Sequence, residues 1–366
     1  MKYNQPFDQT DPNAPYQNGN PATGTDGSIP PAESIEFPQR EIVNVISWAF
    51  SHGYVDSTGA LCAAPTNADL EQLRKAIQGM IKAEIGIVGG ALKANAFSYI
   101  NPATGSDTAF DGSQATVSGS KGPFATIQRG ITEMTKYNLN GFTYSIICAN
   151  GTYSQQAIAL QPQNGSGSVA LVGNRGSPSS CVISSTLGSC LILAGAGGNY
   201  SIDGFRLVAQ GSPRSGDQNA CIWVNGQSSM VMGTGAVVEF AATANNAPHI
   251  VLQNGGSMFN IGNTRIAGGA SSHIYATDGI YTNGQPAQAV MNIVAASAFS
   301  SAFILIDTLG QVYGNFASIS GAGSVTGKQY NVSSNGVLQW GTAGGGATPP
   351  GTIAGTTSTG GQAIAF

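Results

Sequence analysis

Carboxylates are the side chains of this sequence that are best suited to catalysis, and they are few. Between Phe142 and Phe366 the acidic residues are Asp203, Asp217, Glu239, Asp278 and Asp307. Glycoside hydrolysis usually requires two carboxylates, about 5–5.5 Å apart in retaining enzymes and about 6.5–9.5 Å apart in inverting ones. Asp217 and Glu239 form the candidate catalytic dyad. The alternative is that both are solvated turn residues.

Other chemistries find little support in the residue pattern. His52, His249 and His273 are too far apart in sequence for a metal motif, and neither G-x-S-x-G nor HExxH occurs. The segment Gly323–Lys328 lacks the spacing of a phosphate loop. Calcium prefers six to eight oxygen ligands, and no acidic cluster offers them. The sequence therefore predicts neither a metal nor a cofactor.

Cysteine and aromatic residues each allow a structural and a functional interpretation. The five cysteines are Cys62, Cys148, Cys181, Cys190 and Cys221. They show no CxxC spacing, and four of them lie in apolar runs, so we interpret them as small hydrophobic residues rather than as metal ligands. Six aromatic residues are either sugar-stacking platforms or packing residues, and packing is the commoner role: Tyr153, Tyr200, Trp223, Tyr275, Tyr281 and Tyr313.

Short apolar runs separated by turns of Gly, Asn and Ser occupy residues 142–340, with YSIICANG, SVALVGN and PHIVLQNGG as examples. Runs this short, rich in Val and Ile, predict strands. Asn-Gly pairs are hairpin signals, so an antiparallel sandwich stays open. The poor alternation and the longer connections favour a parallel β-helix, or solenoid.

The solenoid interpretation bears on the candidate dyad. The spacing of Asp217 and Glu239 in the sequence is close to the length of one coil. Adjacent coils lie about 4.8 Å apart. The two carboxylates could therefore converge on one face.

Composition narrows the possible partners. The 366-residue chain has 51 glycines, 9% charged residues and a formal net charge of −4. It has no basic run that would predict nucleic-acid binding, and no apolar stretch of about 20 residues that would predict membrane insertion. Its first residues lack the basic-then-apolar order of a secretion signal, which predicts synthesis in a cytoplasm. So little charge predicts a surface partly covered by other protein.

Five regions follow from the pattern. Residues 1–37 form an Asn/Pro/Gly/Thr-rich arm, which we expect to be ordered by docking on a partner. Residues 38–95 contain two predicted helices, 38–51 and 67–87, which either pack on each other or form an oligomeric seam. Residues 96–141 form a linker and a helix that caps the first coil through Phe124, Ile127 and Ile131. The β-helix spans 142–340, and 341–366 is a Gly/Thr-rich end.

Two segments resemble known families. The arm sequence GNPATGT, followed by helices that carry Q-x-E-I and Q-L-x-x-A-I, resembles the N-terminal attachment region of tail-fibre proteins of tailed bacteriophages; SHGYVDSTGALCAAP is an insertion relative to that pattern. The resemblance implies virion attachment through Tyr16, Gly19, Asn20, Pro21, Gly24, Gln39, Glu41, Gln72 and Leu73. GPFATIQRGI resembles the first helix of pectate-lyase-like right-handed β-helices, which are common in phage tailspikes.

The two resemblances together imply that the chain forms a homotrimer in the virion. In each chain a small helical attachment region precedes the right-handed β-helix. The expected function is that of a short tail fibre or spike in host adsorption, made in the host cytoplasm. Expected partners are further copies of the chain, tail or baseplate proteins bound through residues 1–95, and a host surface polysaccharide or other receptor. A polysaccharide depolymerase using Asp217 and Glu239 is the first alternative, and a purely architectural baseplate or collar component is the second.

Overall fold

The computed structural model describes residues 6, 10–11, 14–15, 17–28, 32–54, 61–66, 69, 71–84, 90–195, 198–244, 247–283, 289–342 and 348–365. The chain forms two compact units, Met1–Gly89 and Gly90–Phe366. The second unit is built almost entirely from short strands. Among the described residues every pairing between these strands is parallel, which confirms the mainly-β parallel solenoid and excludes the antiparallel sandwich.

In chain order the strands are β1 Ala96–Ile100, β2 Thr143–Cys148, β3 Gly151–Leu160, β4 Ser168–Val172, β5 Cys181–Ala194, β6 Asn199–Asp203, β7 Phe205–Ser212, β8 Ile222–Asn225, β9 Ser229–Met232, β10 Val237–Ala241, β11 Ile250–Gln253, β12 Ser257–Asn260, β13 Asn263–Ala267, β14 Ile274–Thr277, β15 Ile280–Asn283, β16 Val290–Ile293, β17 Ser297–Phe299, β18 Ile304–Asp307, β19 Gln311–Phe316, β20 Ser318–Ser320, β21 Val325–Gly327, β22 Tyr330–Val332, β23 Val337–Thr342, β24 Thr356–Thr357 and β25 Gln362–Ala365. Single 3₁₀ turns occupy Pro178–Ser180 and Ala322–Ser324.

Each coil contributes strands to three rows. The first row runs β1, β2, β4, β6, β9, β12, β15, β19, β23 and β25. The second starts with the first halves of β3 and β5 and continues through β7, β10, β13, β16 and β20. The third starts with their second halves and continues through β8, β11, β14, β18, β22 and β24. Between the second and third rows, β17 pairs with β21.

The core is a stack of side chains that point inward at the same position of successive coils. In the first row this stack consists of Tyr144, Val169, Tyr200, Met230, Met258, Tyr281, Val312 and Leu338, all at most 2% exposed. The sequence interval between neighbours in the stack varies from coil to coil, yet the register of the strands keeps them aligned. Because burying one large apolar side chain stabilises a fold by about 1.5–3 kcal/mol, the in-register stack fixes which strands pair.

A short helix covers the start of the solenoid. The chain's helices are α1 Ala32–Ser51, α2 Gln72–Glu84 and α3 Ile127–Met134, of which α3 belongs to the second unit. Thr126 caps α3 by accepting a hydrogen bond from the Arg129 amide. Phe124, Ile127 and Ile131 are completely buried in the same core as the first coils. The apolar face of α3 therefore shields the interior of the solenoid at this end.

The strands extend beyond the boundaries predicted from sequence. The turn residues of Phe97–Ser120 predict a loop, yet Ala96–Ile100 forms β1 and pairs with β2. At the other end β25 pairs with β23, so strands continue past residue 340. Both strands carry only short apolar stretches, and it is pairing with a neighbouring coil that makes them extended.

In the first unit, α1 and α2 pack on each other. Ile46, Ala49, Cys62 and Ala76 form a small buried cluster, so within one chain the apolar helix faces cover each other. Helix α1 begins before the predicted start, and Pro38 lies inside it. Helix α2 begins at Gln72, later than the predicted residue 67, which lies outside the described residues.

Candidate functional site

Three charged residues from successive coils meet on the outer face of the second row. Arg206 on β7, Glu239 on β10 and Arg265 on β13 are direct neighbours in the parallel register. Arg206 Nη1 lies 3.3 Å from Glu239 Oε1, and Arg265 Nε lies 3.0 Å from Glu239 Oε2. The Glu239 side chain is only 4% exposed, whereas the arginines are 36% and 40% exposed. We call these three residues the Arg–Glu–Arg ladder.

The ladder carries an excess of one positive charge, because two guanidinium groups share one carboxylate. Its contacts are electrostatic rather than aligned hydrogen bonds: the buried Arg265 Nε has no hydrogen-bond acceptor in suitable geometry despite its proximity to Glu239. Removing a carboxylate from water is costly unless opposite charges compensate it. The two arginines therefore make the burial of Glu239 possible, while a substantial part of each arginine side chain stays accessible to solvent.

A groove of about 330 Å³ lies near the ladder, where the chain leaves the second row. Its walls are small residues and hydroxyl-bearing side chains: Thr243, Gly269, Ala298, Ser300 and Thr326, with Phe299 as the aromatic member. A Cβ atom at Gly269 would lie 2.2 Å from the Ala298 carbonyl oxygen, so a larger residue there would displace the backbone. Among its lining side chains none is charged, so the polar groups of the groove are hydroxyl and backbone groups.

The groove and the ladder are close in sequence on two successive coils. Thr243 follows Glu239 by four residues, and Gly269 follows Arg265 by four. At about 3.3 Å per extended residue the separation is at most about 13 Å. One oligosaccharide of a few sugars could therefore contact both. We call this region, from Arg206 and Arg265 to Thr326, the binding strip; it is the candidate functional site.

The two candidate catalytic carboxylates have different partners. Asp217 precedes β8 and accepts hydrogen bonds from the Ser189 amide at 3.0 Å, the Asn219 amide at 2.8 Å and the Ser189 hydroxyl. Glu239 is held by the two arginines of the ladder. Each carboxylate thus has a structural role of its own, and the two share none of these partners. Their assignment as a catalytic dyad stays a prediction.

The other carboxylates that follow Phe142, namely Asp203, Asp278 and Asp307, lie at or next to the ends of strands. Asp203 pairs with Arg175 Nη2 at 2.6 Å and accepts the Val237 amide at 2.9 Å. A hydrogen bond from Ser334, together with further ones from Ser333 and Thr308, lowers the pKa of Asp307 in opposition to desolvation, which raises it. Asp278 is exposed in a left-handed turn with φ of 55°.

Two histidines lie inside the solenoid and not on its surface. His249 and His273 are completely buried, and their Nδ1 atoms are 3.2 Å apart. His249 Nε2 lies 3.0 Å from the Ala241 carbonyl oxygen. A carbonyl only accepts, so His249 carries its proton on Nε2 and its Nδ1 accepts from His273 Nδ1–H. Burial lowers the pKa of His249 to about 4 and that of His273 well below its usual value.

The thiols and several of the candidate aromatic residues serve packing. All five cysteines are buried, and burial raises the pKa of the Cys148 and Cys221 thiols. Tyr200 and Tyr281 are completely buried. In the part of the chain that the structure describes, no three His, Cys, Asp or Glu side chains are grouped for metal binding. None of its described helices is both long and apolar enough to cross a bilayer.

The predicted attachment residues fall into an exposed group and a packed group. Residues 17–28 form a hairpin closed by Asn20–Thr25 backbone hydrogen bonds of 2.8 and 3.1 Å, and residues 17–27, which include Gly19, Asn20, Pro21 and Gly24, are exposed. Gln39 and Glu41 are exposed on α1. Gln72 is buried and binds Ala64 and Thr66, and Leu73 packs against the buried cluster of the first unit. Tyr16 lies outside the described residues.

Sequence reasoning missed the ladder and the groove. A signal for the ladder did exist: Arg206, Glu239 and Arg265 alternate in charge at intervals close to the length of a coil. The groove has no such signal in the sequence, because the small residues that line it have the same composition as an ordinary turn. Comparison with protein families, with curated proteins and with solved structures finds no match to this chain.

Proposed function

We propose that the chain is a non-enzymatic host-adsorption protein of a tailed bacteriophage, a short fibre or spike that binds a surface glycan. The proposal rests on one observation: both candidate catalytic carboxylates are engaged by other residues of the chain. Asp217 holds Ser189 and Asn219, and Glu239 holds two arginines. These contacts give each carboxylate a structural role, which supports a binding function over a catalytic one. Near Glu239 lies an uncharged groove suited to binding.

Attachment to the virion through residues 1–95 is supported by the first unit. The hairpin 17–28 keeps its own hydrogen bonds while residues 17–27 remain exposed, so it offers a preformed shape to a tail or baseplate protein. Helix α1 exposes Ile42, Val43 and Phe50 by 41%, 45% and 50%. Clustered exposed apolar residues are typical of protein interfaces. Exposed apolar side chains of this kind are expected if another protein covers this part of α1 in the assembled particle.

A right-handed coil and a homotrimer complete the proposal. Both follow from the resemblance to phage β-helices. The trimer has further support in the charge of the solenoid: from Phe142 onward only five acidic and five basic residues occur. A flank with so few charges loses little solvation when three solenoids pack side by side.

The decisive experiment separates adsorption from digestion. Fluorescently labelled full-length protein is incubated with cells of susceptible and resistant bacteria, and the release of reducing sugar ends from the cell-surface polysaccharide is measured in parallel. Binding to susceptible cells without release supports the proposal. Release that Asp217→Asn or Glu239→Gln abolishes would establish the depolymerase instead.

A second experiment tests position and assembly. Deletion of residues 1–28 should prevent incorporation into particles while leaving cell binding intact, and light scattering of the free protein should give the mass of three chains. If the protein enters virions but binds no host cell, the architectural alternative is correct. A monomer in solution would contradict the trimer.

A further inference from the structure

The Arg–Glu–Arg ladder carries one more positive than negative charge. Along the same outer stack, Val182 precedes Arg206, and Asn292 and Ser320 follow Arg265. Glu239 is therefore the single acidic member of this stack, and it is flanked by two basic ones. The hydroxyl of Ser320 donates to Asn292 Oδ1 at 2.7 Å, so the stack ends in a neutral pair.

The guanidinium groups keep unused hydrogen-bonding capacity. Among the described residues neither Arg206 nor Arg265 donates an aligned side-chain hydrogen bond, and their contacts with Glu239 are ion pairs at 3.3 and 3.0 Å. Each guanidinium has five N–H donors in a planar fork that suits a carboxylate or a phosphate. The buried carboxylate holds both forks on the surface, which lowers the entropy lost when an anion binds.

The opposite case occurs at the end of β6, where Arg175 meets Asp203. Arg175 donates from Nε to Asp203 Oδ2 at 2.7 Å and also contacts it through Nη2 at 2.6 Å. There the charges are balanced one to one, and the fork is already engaged. Arg175 thus has a carboxylate to itself, whereas Arg206 and Arg265 share one.

We infer that the binding strip selects an anionic glycan, in which Arg206 and Arg265 bind a carboxylate or phosphate substituent while the end of the groove at Thr243 and Gly269 holds neighbouring sugar hydroxyls; the Thr243 hydroxyl donates to the Ala247 carbonyl oxygen at 2.6 Å and so serves there as an acceptor. This inference rests on the proposed adsorption function and names its ligand class. At the Thr243 and Gly269 end of the groove the glycan would run along the strand direction, because these residues follow Glu239 and Arg265 by four on the same two coils.

The test measures binding of full-length protein to three immobilised polymers: polygalacturonate as the carboxylate probe, phosphomannan as the phosphate probe and dextran as the neutral probe. We expect at least one anionic polymer to bind more tightly than dextran. Arg206→Gln and Arg265→Gln should each weaken that binding about tenfold, or about 1.4 kcal/mol, since each removes charged hydrogen bonds to the anion. Added salt should weaken it further, because it screens exposed charges.

Arg175→Gln is the matched control, because it removes the same charge from a pair outside the strip, and it should change binding by less than twofold. Arg265→Lys keeps the charge without the fork and should give an intermediate loss. Thermal melting establishes that each variant is folded. Equal binding of all three polymers, or equal losses in Arg175→Gln and Arg265→Gln, would overturn the inference.

Cell binding distinguishes this inference from the proposed function. If labelled protein binds susceptible cells and Arg206→Gln/Arg265→Gln binds them equally well, adsorption stands and the anionic ligand is wrong. If arginine-dependent binding of an anionic polymer occurs but no cell is bound, the ligand class stands and host adsorption is wrong.

Discussion

His273 donates its Nδ1 proton to Nδ1 of His249 across 3.2 Å in the interior of the solenoid. His273 Nε2 is then a bare acceptor, and it has no hydrogen-bond partner among the described residues. Phe240 lies against both imidazoles, with Phe299 against His249 and Phe303 against His273. An imidazolium here would face apolar rings and a second imidazole, so both histidines must remain neutral for the coils to stack.

Acid should therefore destabilise the fold through this pair. The unfolded chain protonates a histidine near pH 6.5, whereas burial lowers the pKa of folded His249 to about 4. Between these values the unfolded state binds more protons, so the free energy of unfolding falls as pH falls. His249 alone should cost about 3 kcal/mol over this range, and His273 adds to it. Urea denaturation at pH 8, 6 and 4.5 measures the effect.

The double variant His249→Phe/His273→Phe should show a flatter dependence on pH, whatever its stability at pH 8. His52→Gln, which changes an exposed histidine of the first unit, should behave like the wild type. A double variant as acid-sensitive as the wild type would assign the effect to carboxylates instead.

Asp217→Asn should lower the free energy of unfolding by about 1–2 kcal/mol, because a charged acceptor of hydrogen bonds from Ser189 and Asn219 becomes a neutral one. Asp278→Asn makes the same chemical change at an exposed turn and should stay within about 0.5 kcal/mol of the wild type. Chemical denaturation of both variants gives the comparison. Equal stabilities would show that the contacts of Asp217 contribute little.

Gly314→Ala should destabilise the distal coils. Gly314 pairs in register with Trp340, and a Cβ atom there would lie 2.2 Å from Cε3 of the indole. Overpacking of this kind costs about 1–3 kcal/mol. Gly233→Ala adds a methyl group where nothing lies within 4 Å and serves as the control. Tryptophan fluorescence during unfolding gives the midpoint of each variant. Identical midpoints would contradict the close packing of Trp340 against Gly314.

Ile131→Ala should loosen the cap over the first coils. Ile131 on α3 is completely buried, and truncation of a buried isoleucine costs about 2–5 kcal/mol. Thr132→Ala changes the neighbouring exposed position and should have little effect. Hydrogen exchange of the β1 and β2 amides measures the opening. Unchanged protection in Ile131→Ala would mean that the solenoid start is stable without the cap.

The solenoid could be predicted from sequence because its signal is local. A strand of four or five residues, bounded by Gly and Asn, can be recognised without knowing its neighbour. The Arg–Glu–Arg ladder could not be recognised in this way, because the coils vary in length and only the register places Glu239 between Arg206 and Arg265. The contacts of Asp217 and Glu239 likewise differ, although their spacing resembles one coil.

The start of the solenoid was harder to predict from the sequence, for a different reason. Phe97–Ser120 contains turn residues that predict a loop, yet β1 is extended by pairing with β2, which lies beyond α3 in the chain. Within that loop, Asp107 accepts hydrogen bonds from the amides of Ala125 and Thr126, at 2.8 and 3.0 Å, just before α3. Neither contact leaves a periodic signal, since each joins distant residues once.

Variation in coil length has a consequence for how such a protein changes over time. The connection from β7 to β8 is longer than the connection from β13 to β14, and the inward stack continues across both coils. Insertions at these corners alter the outer surface and leave the interior packing as it was. The shape of the corners and the packing of the core are thus encoded by separate residues, so corners can be remodelled while the same solenoid is inherited.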